Sequence, residues 1–308
     1  MKKEIFLERD DNFGWNIHPK LNDDFSFYGW LELESEQTVA YQISIIKNLT
    51  FFNIPVYKMI LNLVNLNTGT NFVFNNYSFS NKTIYSDDGN LKFGKEMKIL
   101  KFPDHFNIDF KNEEFSFDID LYYKDIFWLF NENYFSLITN TKKNIECKNL
   151  FANSSFLKTS GVLRIKGYDF KINGLSFYQK GFGQFSETKI INHYQKINLI
   201  LEDKQFLITQ YTNLINKTIE ILKENQEHKE INSVVYPLDF FVYQKNNYAL
   251  KWKIVINESE EYYLESISQV LSNRYQFAII KDKEGKIIGR AFIETLPTFY
   301  NAKIQSLL

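Results

Sequence analysis

Residues 160–185, SGVLRIKGYDFKINGLSFYQKGFGQF, decide how the rest of the chain reads. Five glycines (Gly161, Gly167, Gly174, Gly181, Gly183) fall within them, of only twelve in 308 residues. Such bunching marks turns, bulges or close backbone approach, because glycine alone takes positive φ or lets another chain come near at no cost. Between the glycines, Leu163 and Ile165, then Phe170 and Ile172, alternate with Arg164, Lys166 and Lys171 at the two-residue period of a strand. The stretch reads as a strand, a turn at Gly167, a second strand, and then a loop or bulged strand from Gly174 to Gly183.

The same period runs outward in both directions. Phe27, Leu31 and Leu33 oppose Ser26, Glu32 and Glu34, with Tyr28 and Trp30 on the polar side. Tyr41, Ile43 and Ile45 oppose Gln42 and Ser44, which predicts a hairpin across Ser35 to Gln37. Asn67 to Gly69 and Asp87 to Gly89 supply turn chemistry. Phe106, Ile108 and Phe110, then Phe115, Phe117, Ile119 and Leu121, make the clearest antiparallel hairpin, turning at Asn112 to Glu114. In the second half Ile197 to Leu201, Phe206 and Ile208, and Leu250 to Ile256 repeat the style. Phe277 and Ile279 pair with Ile287 to Ile293 across Asp282 to Gly285. Leu214 to Lys229 fits helical spacing as well as strands, and we read it as strands. Many short strands without helical alternation predict an all-β fold. The polar stretch Thr139 to Asn149 predicts a boundary near residues 140 to 158, dividing the chain into β domains 1–150 and 151–308.

Composition supports sheets, since 30 Phe and 19 Tyr bring aromatics to 17% and such side chains suit a half-buried pleated surface. Thirty-six basic residues against 37 acidic ones leave a net charge of −1, so no basic excess suggests a nucleic-acid partner. The start, MKKEIFLERDD, reaches acidic residues before an apolar leader core forms, and no run of 18 apolar residues occurs. A cytoplasmic location is expected, with peripheral membrane contact left open. His18, His105, His193 and His228 show no ligand spacing, so no metal site is expected. No nucleophile elbow or phosphate loop occurs, and Gly181-Phe182-Gly183 lacks the third glycine of a dinucleotide fingerprint. Cys147 reads as an incidental thiol.

Three segments carry a family resemblance. Gly174 to Gly183, GLSFYQKGFG, resembles the G-x-G-[YF]-x-D-H-x-W-G signature of the carotenoid hydratase and AttH-like family. Phe27 to Ile45, FYGWLELESEQTVAYQISI, is similar to that family's opening strand pair, and Gly289 to Glu294, GRAFIE, to its closing G-x-G-x-x-E. The resemblance implies two lipocalin-like antiparallel β-barrels in tandem and a cofactor-independent hydratase or cyclase acting on an isoprenoid or other long apolar substrate. The departures are specific. Gln179 and Lys180 stand where the family has Asp and His, Ser176 replaces its second glycine, and Phe182 its tryptophan. Glutamine has no ionisable proton, so it cannot serve as the family's acid. Tyr178, Lys180 and Glu294 are therefore the catalytic candidates, Glu294 as a carboxyl raised by burial. Tyr28, Trp30, Phe177, Gln179, Phe182, Gln184 and Trp252 are the ligand-contact candidates. Each has a plain alternative: a solvated lysine, glutamines capping strand edges, aromatics in ordinary core, a glutamate facing water. Besides an enzyme, the sequence admits a non-catalytic carrier of a hydrophobic ligand or a structural β protein.

Overall fold

The structure is a computed structural model. It describes residues 22–49, 55–78, 91–123, 127–130, 149–183, 194–211, 217–224, 227–272, 274–296 and 299–300. For 22–25, 48–49, 55, 127–130, 149–155, 180–183, 211 and 217 only the backbone is described. Cys147, His18, His193, Gln184 and the Asp87 to Gly89 turn lie outside the described residues, as do the side chains of Lys180 and Phe182.

The first sheet comprises β1 (Asn22–Leu33), β2 (Thr38–Leu49), β3 (Pro55–Asn65), β4 (Asn71–Ser78), β5 (Leu91–Phe93), β6 (Met97–Lys101), β7 (His105–Lys111), β8 (Phe115–Tyr122), β9 (Phe127–Phe130), β10 (Asn149–Ile165) and β11 (Tyr168–Gly183). Its order is β4-β3-β2-β1-β11-β10-β8-β7-β6-β5, with β9 paired to β10. The second comprises β12 (Tyr194–Leu201), β13 (Lys204–Tyr211), β14 (Lys217–Leu222), β15 (His228–Ile231), β16 (Ser233–Tyr243), β17 (Asn246–Ile256), β18 (Glu260–Ser266), β19 (Tyr275–Lys281) and β20 (Ile287–Thr295), ordered β15-β14-β13-β12-β20-β19-β18-β17-β16. Both sheets follow one plan. The first strand of each pairs antiparallel with its last, β1 with β11 and β12 with β20, while the strands between run as meanders. The ambiguous stretch around residue 220 holds the strands β14 and β15, as read from the sequence.

Each sheet curls far enough for strands distant in its order to touch. In the first, Phe72 and Phe74 of β4 pack edge-on against Phe115 of β8 and Phe110 of β7, with centroids 4.6 and 5.6 Å apart. In the second, Phe206 of β13 meets Tyr262 of β18 at 5.7 Å, and Lys204 Nζ lies 2.8 Å from Glu260 Oε2. Two separate cores result. One is built on Phe27, Leu31, Phe106, Ile119 and Tyr178, the other on Ile197, Leu199, Trp252, Ile254 and Ile280. Burying one such side chain contributes about 1.5–3 kcal/mol, which makes these cores the main source of stability.

The expected boundary near residue 150 is corrected. The compact units are Met1–Ser136 with Lys143–Ser186, and Leu137–Lys142 with Glu187–Leu308. Residues 160–183 are thus the last hairpin of the first unit and not the start of the second. The reason is the pairing of β11 with β1, from Leu33↔Ile172 to Asn22↔Gly183, between partners so far apart in sequence that local periodicity carries no trace of it. Gly174 to Gly183 is also not a loop, since β11 continues through it. The irregularity lies in its partner β10, between Ser154 and Leu157, where Phe156 has a φ of 57°.

The turn at Gly167 is as expected. Lys166 and Gly167 take φ of 49° and 83° between the paired residues Ile165 and Tyr168, the left-handed conformation a two-residue hairpin loop requires for its twist to match the strands. Nothing lies within 4 Å of where a Cβ at Gly167 would sit. Gly167→Ala therefore meets backbone strain alone, and we expect a loss of about 1 kcal/mol in urea unfolding. Among the described residues no helix is long and apolar enough to cross a membrane.

Candidate functional site

A strand sends neighbouring residues to opposite faces of its sheet, and this separates the residues that sequence grouped together. On β11, Ile172 and Tyr178 point into the first core, while Phe177 belongs to the other face with its cross-strand partner Tyr28. Tyr178 is buried, its ring 5.0 Å from both Phe27 and Phe106. Between it and Gly174 stands Ser176, also buried, and this residue organises the interior. Tyr41 of β2 donates its hydroxyl hydrogen to Ser176 Oγ at 2.6 Å. Ser176 Oγ is in turn bonded to Thr159 Oγ1 of β10, which donates to Leu157 O at 3.2 Å. Three buried hydroxyls thus run in one direction, from a phenol to a backbone carbonyl, beside an aromatic wall. Burial pushes the Tyr41 phenol well above the usual tyrosine range, against the smaller opposing effect of its bond to Ser176. It stays protonated and available as a donor.

The opposite face of the same strands is buried too. Tyr28 stacks on Phe177 at 5.7 Å, and Trp30 meets that ring edge-on at 6.0 Å. Alongside them runs a polar ladder: Ser26 Oγ is bonded to Ser44 Oγ at 2.6 Å, Gln42 Nε2 donates to Ser44 Oγ at 2.6 Å, and Asn62 Nδ2 donates to Gln42 Oε1. Gln42, Ser44 and Asn62 are fully buried, and their mutual bonds supply the partners that buried polar groups need. Gln179 sits on this face opposite Ser26 and is only partly buried.

The remaining candidates belong to the second unit. Trp252 lies in its core and donates Nε1–H to Tyr300 OH at 2.9 Å. Glu294 points the other way from Ile293, as its strand position predicts, but it neither faces water nor is held protonated. Its side chain is 13% exposed, its Oε1 lies 3.1 Å from Arg274 Nε, and Tyr194 OH donates to it at 2.8 Å. Burial acts to raise this carboxyl, but the charges of Arg274 and Lys196 and the Tyr194 bond outweigh it and hold Glu294 below the usual carboxylate range. The expectation of a raised acid is overturned. Glu294 is an ionised partner of Arg274.

The predicted site is therefore not one pocket. Tyr178 lies inside the first unit, Tyr28, Trp30, Phe177 and Gln179 on the other face of that sheet, Trp252 inside the second unit, and Glu294 on the second sheet's opposite face. Sequence reasoning missed Tyr41, Ser176 and Thr159. A signal existed for two of them, since Tyr41 stands in the apolar row with Ile43 and Ile45, and Ser176 replaces a family glycine two residues before Tyr178.

The sequence matches no protein-family profile and no curated protein. Solved structures do match. A candidate AttH from Nitrosomonas europaea superposes with a TM-score of 0.72 at 12% identity, covering 89% of this chain and 92% of its own. Kievitone hydratase from Nectria haematococca superposes with a TM-score of 0.68 at 11% identity, covering 90% of each. They share this fold. The chain is a tandem of two lipocalin-like antiparallel β-barrels, as the resemblance implied. Identities this low carry the fold and no residue's role.

Proposed function

We propose that the chain is a cofactor-independent enzyme of the hydratase or cyclase type, acting on an isoprenoid or other long apolar substrate whose reacting end lies inside the first unit. The observation that carries this reading is the buried hydroxyl chain Tyr41–Ser176–Thr159 beside the rings of Phe27, Phe106 and Tyr178. Aromatic faces stabilise positive charge developing on carbon, and more so where water is excluded. A linked row of hydroxyls holds a water molecule and the substrate's reacting end by hydrogen bonds and relays the proton that water loses as its oxygen joins carbon. The net addition thus places one hydrogen and one hydroxyl of the same water on neighbouring carbons and leaves the row as it began. In cyclisation the same groups hold the substrate's conformation. Tyr178 keeps its place in this site, and Ser176 is the middle link of the hydroxyl row rather than a replacement for the raised acid expected of Glu294. A cytoplasmic setting and contact with a membrane surface belong to the same proposal.

Native mass spectrometry of the purified protein, followed by solvent extraction, identifies the ligand, and its turnover is then compared in Ser176→Ala. Interrupting the proton row is expected to lower turnover by about 10²-fold while the retained ligand stays bound. Wild-type turnover in Ser176→Ala removes the site. A carrier is the second reading, favoured by Gln179, an amide where the family has its acid. A ligand retained in stoichiometric amount and returned chemically unchanged decides for it.

A further inference from the structure

The interior of the second unit holds a buried hydrogen-bonded cluster around one hydroxyl that the proposed reaction does not use. Tyr300 reaches into this core, and its oxygen is the meeting point of two donors from different strands. Trp252 Nε1 of β17 donates at 2.9 Å and Gln195 Nε2 of β12 at 2.8 Å. The phenol hydrogen faces the other end of the same amide, with Gln195 Oε1 3.0 Å away. Gln195 Nε2 also donates to Thr295 Oγ1 at 2.8 Å. Gln195, Trp252, Thr295 and Tyr300 are all buried. A ring with a hydroxyl at its tip is the group this arrangement fits, because two N–H donors and one carbonyl match an oxygen that accepts twice and donates once.

Two observations separate this from an ordinary core tyrosine. Gln276, on the same inner face, spends its Nε2 on Ala249 O and Ser266 Oγ at 3.1 and 3.2 Å, while its Oε1 is buried with no hydrogen-bond partner. A buried carbonyl left unbonded costs about 1–3 kcal/mol, which a ligand with a second donor would recover. The outer side of the Tyr300 ring is covered by Phe240 of β16, edge-on at 5.1 Å, and Phe240 is itself 43% exposed. Among the described residues, a partly exposed side chain thus packs on the Tyr300 ring.

We propose that the end of the second unit's interior bounded by Gln195, Trp252, Thr295 and Gln276 is a binding site for a ring-bearing alcohol of the phenol class, and that Tyr300 occupies it in cis. A ligand entering past Phe240 replaces the Tyr300 phenol on Trp252 and Gln195 and releases residues 299–300.

The test uses the full chain with p-cresol as the probe and toluene as its match without the hydroxyl. Affinity is measured calorimetrically, and release is followed by hydrogen exchange near Tyr300. In wild type, p-cresol is expected to speed exchange at residues 299–300 and toluene is not. Removing the competitor in Tyr300→Ala should raise p-cresol affinity at least about tenfold, and adding Gln195→Leu, which removes one donor and the carbonyl while Trp252 still donates, should cancel that gain, one hydrogen bond being worth about a factor of ten. If Tyr300→Ala does not fold alone, p-cresol and not toluene should restore its folded signal. A void merely left by truncation would bind both probes alike and leave wild-type exchange unchanged. That result would overturn the proposal.

Discussion

Gly174→Ala is expected to lower the stability of the first unit by about 3 kcal/mol or more, a large share of the roughly 5–15 kcal/mol that folded domains possess. A Cβ at Gly174 would lie 1.9 Å from Trp30 O and 2.9 Å from Trp30 C on β1. Both are backbone atoms, so no change of rotamer relieves the collision. β1 would have to move off β11 at the register point Leu31↔Gly174, and with it the strand that joins the two halves of the sheet. Urea unfolding followed by tryptophan fluorescence reads the effect. The comparison with Gly167→Ala is informative, because there the added methyl has open space and only φ is strained. Equal midpoints for the two variants would show that the close approach of β1 to β11 is not present.

The second large effect is at Arg274. In Arg274→Met the Glu294 carboxylate stays buried and loses its main counter-charge, a change that costs about 3–5 kcal/mol when one partner of a buried pair is removed. The two side chains are 17% and 13% exposed, so solvent screens the pair only weakly. The pH dependence has a definite sign. In the native protein Glu294 has a lowered pKa, so its contribution is full above the unfolded carboxylate pKa and is lost as pH falls through the folded value. Without Arg274 burial dominates, the carboxyl is raised, and the variant loses stability as pH rises. The gap between the two proteins should be widest near neutrality, should begin to narrow as pH falls to the unfolded carboxylate value of about 4, and should close as pH falls through the lowered native value. A gap that stays constant from pH 4 to 8 would show that Arg274 acts by packing alone. Glu294→Gln should leave turnover intact wherever the protein remains folded, since no acid is removed.

How much was legible in the sequence follows from what a two-residue period encodes. The hairpins of Phe106 to Leu121 and of Phe277 to Ile293 were readable because each row is apolar on one face and the partners are neighbours in the chain. The closing of β1 on β11 was not, since those partners lie far apart and each strand looks complete alone. Alternation also separates polar from apolar and says nothing of which polar residues are buried. Gln42 and Ser44 read as the wet side of β2, yet with Asn62 they form a dry ladder, and their mutual bonds are a property of register and not of composition. Tyr178 was found through a family motif, while the hydroxyls beside it went unseen because Ser176 and Thr159 meet across strands. Glu294 was placed on the right face but given the wrong charge, since Arg274 lies in the preceding segment and its approach is set by the fold of β19 onto β20.

The pairing of the first strand with the last also sets a timetable. β1 emerges from the ribosome roughly 150 residues ahead of β11, so at about 5–20 residues per second it waits on the order of 10–30 s for its partner. During that interval Phe27, Tyr28, Trp30 and Leu31 have only one neighbouring strand, β2. Translation speed across residues 34–172 and chaperone supply should therefore govern the yield of soluble protein more strongly than equilibrium stability does, and the second unit, whose first and last strands lie closer in sequence, should depend on them less.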